Sequence, residues 1–247
     1  MDPRRFIWSV LMVTEKNMRI YYYKGSVVIF GLLFPFIMFL TFFIGRNLDL
    51  IQFFPGFLGM MLFFSSSSTG PLITPWEKRE KTYERLVSLP VVIESIVLGD
   101  ILSGAVFGFV ITSLVWMVGS SLLHLPLTNP AVLLAALFLG SLAFASLGTL
   151  LSSPATNTPS NIMMFSNLVR LPLIFVSGIF IPLSQLGDWA WTNLLSPLTY
   201  LVDLFHTAIT GDGVYSPVLD SAVLIIVILI FATGAKVIQQ HNLLSGR

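Results

Sequence analysis

Six long apolar runs divide this sequence, and each is long enough to form a helix across a lipid bilayer. Such a helix needs about 20 largely uncharged residues, and its backbone must satisfy its own hydrogen bonds because the hydrocarbon core contains no water. The runs cover about residues 25–45, 51–75, 101–123, 130–152, 162–182 and 218–238. They predict an all-α integral membrane protein with six transmembrane helices, in which residues 1–247 form a single transmembrane domain.

The composition of the chain supports the same class. Hydrophobic residues make up 55% of it and charged residues only 10%, with a mean hydropathy of +0.87, whereas a soluble domain carries roughly 25% charged residues. The net charge of +1 gives no general field that would attract nucleic acid. Because the sequence contains no cysteine, thiolate metal sites and thiol nucleophiles are excluded.

Lysine and arginine fall on one side of the predicted spans. Short cytoplasmic loops are enriched in these two residues. If both termini and the loop after the second span are cytoplasmic, only Arg46 falls in an outer loop, and only Arg170 lies well inside a span. The distribution predicts a multi-pass protein of the cell membrane with both termini in the cytoplasm.

An amphipathic helix that lies on the membrane is predicted at residues 2–24. One side of this helix would carry Phe6, Val10, Val13, Asn17 and Ile20. The other side would carry Arg5, Glu15, Lys16 and Arg19. Two interpretations remain open, a simple interfacial anchor and a docking surface for a cytoplasmic partner.

Residues 76–90 contain the densest charge cluster of the sequence. On one helix they would form an acidic stripe of Glu77, Glu80 and Glu84 beside a basic stripe of Lys78, Lys81 and Arg85. Glu77 and Lys81 would then make a favourable ion pair worth a few tenths of a kcal/mol. Adjoining stripes of opposite charge indicate a surface that contacts a protein, and a solvated loop that only fixes the topology is the alternative.

Two short helices on the outer side are predicted within residues 183–217. The first part, 183–195, contains two tryptophans, which favour the membrane interface. Ser196 followed by Pro197 predicts the N-cap and first turn of a second helix that ends near Gly211. Helices of about 12 residues are too short to cross a bilayer. We therefore expect a re-entrant pair, with a flat external cap as the alternative.

No catalytic pattern accompanies these segments. The three histidines are far apart, and the sequence has neither an HExxH motif nor a glycine-rich loop ending in Gly-Lys-Ser or Gly-Lys-Thr for ATP. Asp203 and His206 are three residues apart, but two ligands alone make a poor metal site. The sequence predicts a chain that is not an enzyme and holds no metal or cofactor of its own.

Arg170 is the formal charge placed deepest in a predicted span. A charge at mid-helix costs roughly 2.5–3.5 kcal/mol on insertion scales. Arg170 therefore pairs with Glu94 or Asp100, reaches cytoplasmic phosphates, or lines the path of an anionic substrate. Ser66 belongs to a hydroxyl-rich stretch, which indicates close helix packing or a polar pore lining.

Together these features resemble the permease subunit of type-2 ABC exporters, a family that includes daunorubicin-resistance and nodulation-factor permeases. Its usual loop pattern of Glu, Gly-Thr, Leu and Pro is matched by Glu77, Thr82, Leu86 and Pro90, with Lys81 in place of glycine. The usual end of the fifth span is matched by Ser177, Gly178, Phe180 and Pro182. An NPLTY-like motif is matched by Ser196, Pro197, Leu198, Thr199, Tyr200 and Asp203, with His206 in place of arginine.

The resemblance implies an ATP-driven exporter in which two permease chains form the pathway in the lipid. A separate ABC ATPase would hold ATP and Mg²⁺ and contact residues 76–90 as a coupling helix. The coupling residues would be Glu77, Arg79, Glu80, Lys81, Thr82, Glu84, Arg85, Leu86 and Pro90. Candidates for the translocation path are Arg170, Ser66 and Phe180.

The expected substrate is an amphiphilic drug-like or lipid-like molecule, and a lipid-linked glycan or polysaccharide is the alternative. A transporter driven by an ion gradient and an intramembrane enzyme are further alternatives. The spans lack the series of buried acidic residues that an ion-driven transporter uses. The sequence also lacks the catalytic groups that an intramembrane enzyme requires.

Overall fold

The computed structural model describes residues 2–43, 50–88, 92–154, 158–179, 191 and 193–244, and the regular structure in these ranges is helical. The α-helices are α1 Pro3–Asn17, α2 Gly25–Val28, α3 Phe34–Phe43, α4 Leu50–Ser67, α5 Gly70–Arg79, α6 Thr82–Ser88, α7 Ile93–Leu123, α8 Pro130–Ser152, α9 Pro159–Val176, α10 Pro197–Ile209 and α11 Pro217–Leu244. Two π-helical turns, Met18–Tyr22 and Ile29–Leu33, follow α1 and α2.

Five stretches of the described chain are long and apolar enough to cross a membrane. They are Leu50–Arg79, Ile93–Leu123, Pro130–Ser152, Pro159–Val176 and Pro217–Leu244. They correspond to five of the six predicted spans. The other predicted span begins as α2, a π-helical turn and α3, and its remaining residues lie outside the described ranges. The count of six therefore stays a prediction.

The third span begins earlier than predicted. The apolar run predicts a start at residue 101, because the charge of Asp100 interrupts the run there. In the structure α7 begins at Ile93, and Asp100 is buried within it as the hydrogen-bond acceptor of Asn17. A partner on another helix removes the cost that would have kept this carboxylate at the surface.

Helix α4 occupies the centre of the bundle, and residues 54–67 are all buried. Its neighbours are α7, α8 and α10. Phe63 packs edge-to-face against Phe144 of α8, with ring centroids 4.8 Å apart. On the α7 side, a Cβ atom added at Gly108 would overlap Ser66. Small residues thus let these apolar helices approach closely, which is how helices associate without water.

Helix α1 packs along α7 through the side predicted from its sequence. Asp2 accepts a hydrogen bond from Arg4 N at 3.1 Å and caps the helix, and Val13 and Asn17 are buried. The prediction that Ile20 continues this side is wrong, because its side chain is 48% exposed. The π-helical turn changes the helical phase after Asn17, so Tyr21 and Tyr22 are buried instead.

Helix α10 begins at Pro197 and ends at Ile209, and Gly211 adopts a φ of 85° beyond it, which confirms the second short helix. The hydroxyl of Ser196 donates to Leu173 O at 2.9 Å instead of capping α10. At the other end, the N–H groups of Thr128 and Asn129 donate to Ala208 O at 2.9 and 3.0 Å. The helix predicted before α10 lies mostly outside the described residues.

Candidate functional site at the coupling segment and a membrane cavity

The coupling segment, residues 76–90, is bent rather than continuous. Helix α5 ends at Arg79, and α6 begins at Thr82. Lys81 adopts a φ of 56°, a backbone conformation that glycine favours. The hydroxyl of Thr82 donates to Glu77 O at 3.2 Å and closes the turn. Lys81 thus holds the conformation that explains why glycine is usual at this position in the permeases that the sequence resembles.

This bend separates the charges that were predicted to form two stripes. The prediction of a Glu77–Lys81 ion pair is wrong, because the helix stops between the two residues and Glu77 pairs with Lys16 of α1. Glu77 is 3% exposed. The predicted contact residues that remain exposed are Arg79, Glu80, Lys81, Thr82, Glu84 and Arg85. Leu86 is half-buried, and Pro90 lies outside the described residues.

Tyr83 anchors α6 to the bundle. Its side chain is buried, and the ammonium group of Lys78 lies 5.6 Å from the centre of its ring. Burial raises the pKa of Tyr83 to about 12, and the nearby carboxylates of Asp100 and Glu77 act in the same direction. Its hydroxyl therefore stays neutral at physiological pH, while the charged residues of α6 face outward.

A largely buried set of side chains, here called the polar junction, joins α1 to α5 and α7, and of its members Lys16 is partly exposed. It comprises Lys16, Asn17, Glu77 and Asp100. Lys16 pairs with Glu77, and Asn17 Nδ2 donates to Asp100 Oδ1 at 2.7 Å. The sequence reasoning missed this junction. An available signal was Asn17, an amide on the otherwise apolar side of an amphipathic helix.

An aromatic stack stands beside the polar junction. The rings of Tyr21 and Trp76 lie parallel, with centroids 5.6 Å apart. The ammonium group of Lys24 lies 5.5 and 5.0 Å from their centres. Burial raises the pKa of the Tyr21 hydroxyl, and the charge of Glu77 raises it further. The start of the coupling segment is therefore held by packing as well as by charge.

Arg170 lies in a cavity of about 280 Å³ between α3, α4, α5 and α9. Residues that line the cavity include Phe34, Phe64, Ser68, Pro71, Ser166 and Arg170. Arg170 is 6% exposed, and within the described chain its Nε and Nη2 atoms have no hydrogen-bond partner. The hydroxyl of Ser166 is likewise buried without a partner there. The cavity is therefore mostly apolar, with one cationic edge.

The acidic partners proposed for Arg170 are engaged elsewhere. Glu94 pairs with Lys236 at 3.0 Å, and Asp100 accepts from Asn17. Within the described residues, the predicted pairing of Arg170 with either carboxylate is therefore wrong. The structural reason is that Glu94 is held by Lys236 of α11 and Asp100 by Asn17 of α1.

Of the other two path candidates, Ser66 does not join Arg170 in this cavity. Ser66 is fully buried against Gly108 of α7, so it serves close packing between α4 and α7. Ser68, two residues later, is the hydroxyl that lines the cavity. Phe180 lies outside the described residues.

A second cavity, of about 600 Å³, lies at the opposite end of the bundle from the coupling segment. Asp203 and His206 line it. The Asp203 carboxylate accepts the N–H groups of Val214 and Tyr215 at 2.7 and 2.8 Å. It therefore holds the loop that leads to α11. Within the described chain, no three histidine or acidic side chains come together as a metal site.

Comparison with known proteins agrees with this architecture. Residues 8–209 match the family model described as ABC-2 type transporter. Nodulation protein J of Rhizobium meliloti (strain 1021) is 25% identical over 136 residues, which is 55% of this chain and 52% of that protein. The match thus spans about half the length of that relative. Because the family model covers most of the sequence, this multi-pass membrane chain belongs to the ABC-2 type transporter family.

Proposed function

We propose that this chain is the membrane-spanning permease subunit of an ATP-driven ABC exporter. A separate ABC ATPase holds ATP and Mg²⁺ and drives the transport. Both termini and the coupling segment face the cytoplasm of a cell membrane, because the basic residues concentrate on that side. Membership of the ABC-2 type transporter family supports this role.

The geometry of the coupling segment carries the proposal. Glu80, Glu84 and Arg85 are exposed and form no ion pair within the described chain. They stand on a short helix that is anchored by Tyr83 and joined to α5 by a tight turn. Charges displayed on a rigid support suit electrostatic contact with another protein. The ATPase is the partner that the family implies.

Motion of the ATPase reaches the membrane through α5. Ser68 and Thr69 interrupt the long stretch of α4 and α5, and Pro71 contributes no backbone N–H group to the helix that follows. Gly70 lies so close to Gly148 of α8 that an added Cβ would come within 3.1 Å of its backbone. In this proposal α5 pivots at that contact, which lies beside the Arg170 cavity.

Two copies of the chain, or one copy with a homologue, form the transport unit in this proposal. Met164, Leu168 and Phe175 lie on one side of α9 and are 72, 71 and 54% exposed. A bundle with few spans encloses only a narrow path, so a second permease chain completes the pathway along this apolar side. The remaining exposed apolar surface contacts lipid.

The substrate in this proposal is an amphiphilic drug-like or lipid-like molecule. The Arg170 cavity supports this class, because apolar side chains surround one cationic group. Its lining includes Met163 and Leu171, which are 37 and 38% exposed and so connect the cavity to the outer surface of the bundle.

Copurification with the ATPase tests the coupling role. The double variant Glu80→Gln, Glu84→Gln removes two exposed acids and no buried contact. We expect it to insert normally, because acidic residues contribute little to topology, and to lose the ATPase or its substrate-stimulated ATP hydrolysis. Asp212→Asn, an exposed change at the opposite end of the bundle, is the matched control. Unchanged association and turnover in the double variant would refute the proposed coupling surface.

A further inference from the structure

The guanidinium group of Arg170 lies deep in the bundle, and the described residues supply no counter-charge to it. It is eleven residues from the start of α9 at Pro159, which places it roughly 16 Å along the helix. That depth is about half of the ~30 Å hydrocarbon core. Ionisable groups at such a depth ordinarily pair with one another or with a ligand.

The carboxylates of α5 and α7 do not supply this counter-charge. Glu77 pairs with Lys16, Glu94 pairs with Lys236, and Asp100 accepts from Asn17. Within the described chain, Arg170 forms no ion pair, and its Nε and Nη2 donors are buried without a hydrogen-bond partner. Among the residues that the structure describes, its positive charge is therefore left for an external group.

The free donors have the geometry of an anion-binding fork. Nε and Nη2 lie on one edge of the planar guanidinium group, and that edge binds a carboxylate, sulfate or phosphate through two parallel hydrogen bonds. The hydroxyl of Ser166, one turn earlier on α9, is also buried and unpartnered. Phe34, Phe64 and Pro71 form apolar walls around this polar edge.

We propose that this cavity binds an amphiphilic anion. Arg170 binds the charged group, and the apolar body packs against Phe34 and Phe64. The volume of about 280 Å³ is at the small end of the ~300–1,000 Å³ range of ligand pockets. It therefore holds the charged group and the adjoining part of the ligand, and the rest extends past Met163 and Leu171. An exported amphiphile and an anionic membrane lipid share this chemistry, and naming the ligand a substrate rests on the proposed function.

Photolabelling of the full chain in phosphatidylcholine nanodiscs tests the site. The probe is a laurate that carries a diazirine, and the matched probe is the alcohol of the same chain, which has no charge. Labelled peptides are identified by mass spectrometry. We expect the laurate to label residues 163–171 about tenfold more than the alcohol does, because only the laurate forms the charge-assisted bonds. Equal labelling by the two probes would overturn the proposal.

Variants of Arg170 assign the effect to its guanidinium group. Arg170→Met should remove the preference for laurate, while Lys236→Gln, which removes a cation from another span, should leave it unchanged. Thermal melting shows whether the Met variant is folded. Arg170→Lys keeps the charge without the fork, so it should lower laurate labelling severalfold and not change alcohol labelling. Wild-type laurate labelling in Arg170→Lys and Arg170→Met would refute the assignment.

Competition distinguishes the sources of the anion. Displacement of the laurate by dodecyl phosphate alone identifies a single-chain amphiphile, and displacement by phosphatidylglycerol as well identifies a membrane lipid as a ligand. Equal competition by inorganic phosphate would show that the apolar body is not recognised and would refute the proposal. The assay contains neither ATP nor ATPase. Failure of this site is therefore separate from failure of the coupling surface.

Discussion

Two buried polar regions of this chain are satisfied in opposite ways. In the polar junction, Lys16 meets Glu77, and Asp100 accepts from Asn17, so each formal charge has a partner. In the membrane cavity, Arg170 has no counter-charge within the described chain. A buried charge without a partner is unfavourable. In the proposal above, the junction is structural support, while the cavity keeps an unfavourable charge available for a ligand.

Loss of a cation from the junction should have the largest effect on stability. Lys16→Met leaves the Glu77 carboxylate buried and unpaired. We expect the free energy of unfolding to fall by about 3 kcal/mol, the lower end of the range for a broken buried pair, because Lys16 is partly exposed. Thermal unfolding of the purified chain measures the change.

Arg19→Met is the matched control for that change. Arg19 lies in the π-helical turn, two residues beyond α1, and its ion pair with Glu15 is exposed, so its replacement should alter the melting temperature little. The double variant Lys16→Met, Glu77→Gln should recover much of the lost stability. Equal melting temperatures for Lys16→Met and Arg19→Met would show that the polar junction does not stabilise the fold.

Loss of the Arg170 cation from the cavity should raise the stability of the chain, whereas loss of Lys16 from the junction lowers it. Arg170→Met removes a charge that has no partner in the described chain and keeps an apolar stem of similar length. We expect a gain of about 2 kcal/mol, somewhat less than the cost of a mid-span charge on insertion scales. A rise in melting temperature in lipid nanodiscs without added anion is the measurement. A fall would show that Arg170 stabilises the bundle and would end the contrast between the two regions.

Replacing Lys81, in the turn beside the polar junction, should change the stability of the chain by a smaller amount. Lys81 holds a φ of 56°, which costs a side-chain-bearing residue about 1–2 kcal/mol. Lys81→Gly relieves this strain but increases the entropy of the unfolded chain, so the net gain should be under about 1 kcal/mol. Lys81→Ala removes the same charge and keeps the strain. Melting temperatures that do not differ between the two variants would contradict this explanation.

The sequence predicted the elements that depend on local pattern. Helix α8 begins and ends as predicted from its apolar run, and α10 follows the Ser196–Pro197 signal. Asp100 was misplaced because its partner, Asn17, lies 83 residues earlier, and a rule based on charge-free length contains no information on distant pairing. The break at Lys81 was missed because helical periodicity alone does not show where a turn interrupts it.

The Arg170 site was partly predictable. A charge inside an apolar run indicated a functional position, and a path for an anionic substrate was one of the stated interpretations. Which hydroxyls accompany Arg170 depends on the rotation of α4 and α9 about their axes. Packing of α4 against α7 and α8 turns Ser66 toward Gly108, so Ser68, in the break after α4, is the hydroxyl that reaches the cavity.

The attachment of α10 has a consequence for biogenesis. The carbonyl of Ile209 accepts from the hydroxyl of Thr128, which lies 81 residues earlier, in the link between α7 and α8. The last carbonyls of a helix have no partner within the helix, and this link supplies donors to those of α10. During synthesis the link leaves the ribosome first, so the donors are already in place when α10 emerges. A split chain whose half containing α10 is made first would leave those carbonyls without these donors until the other half arrived.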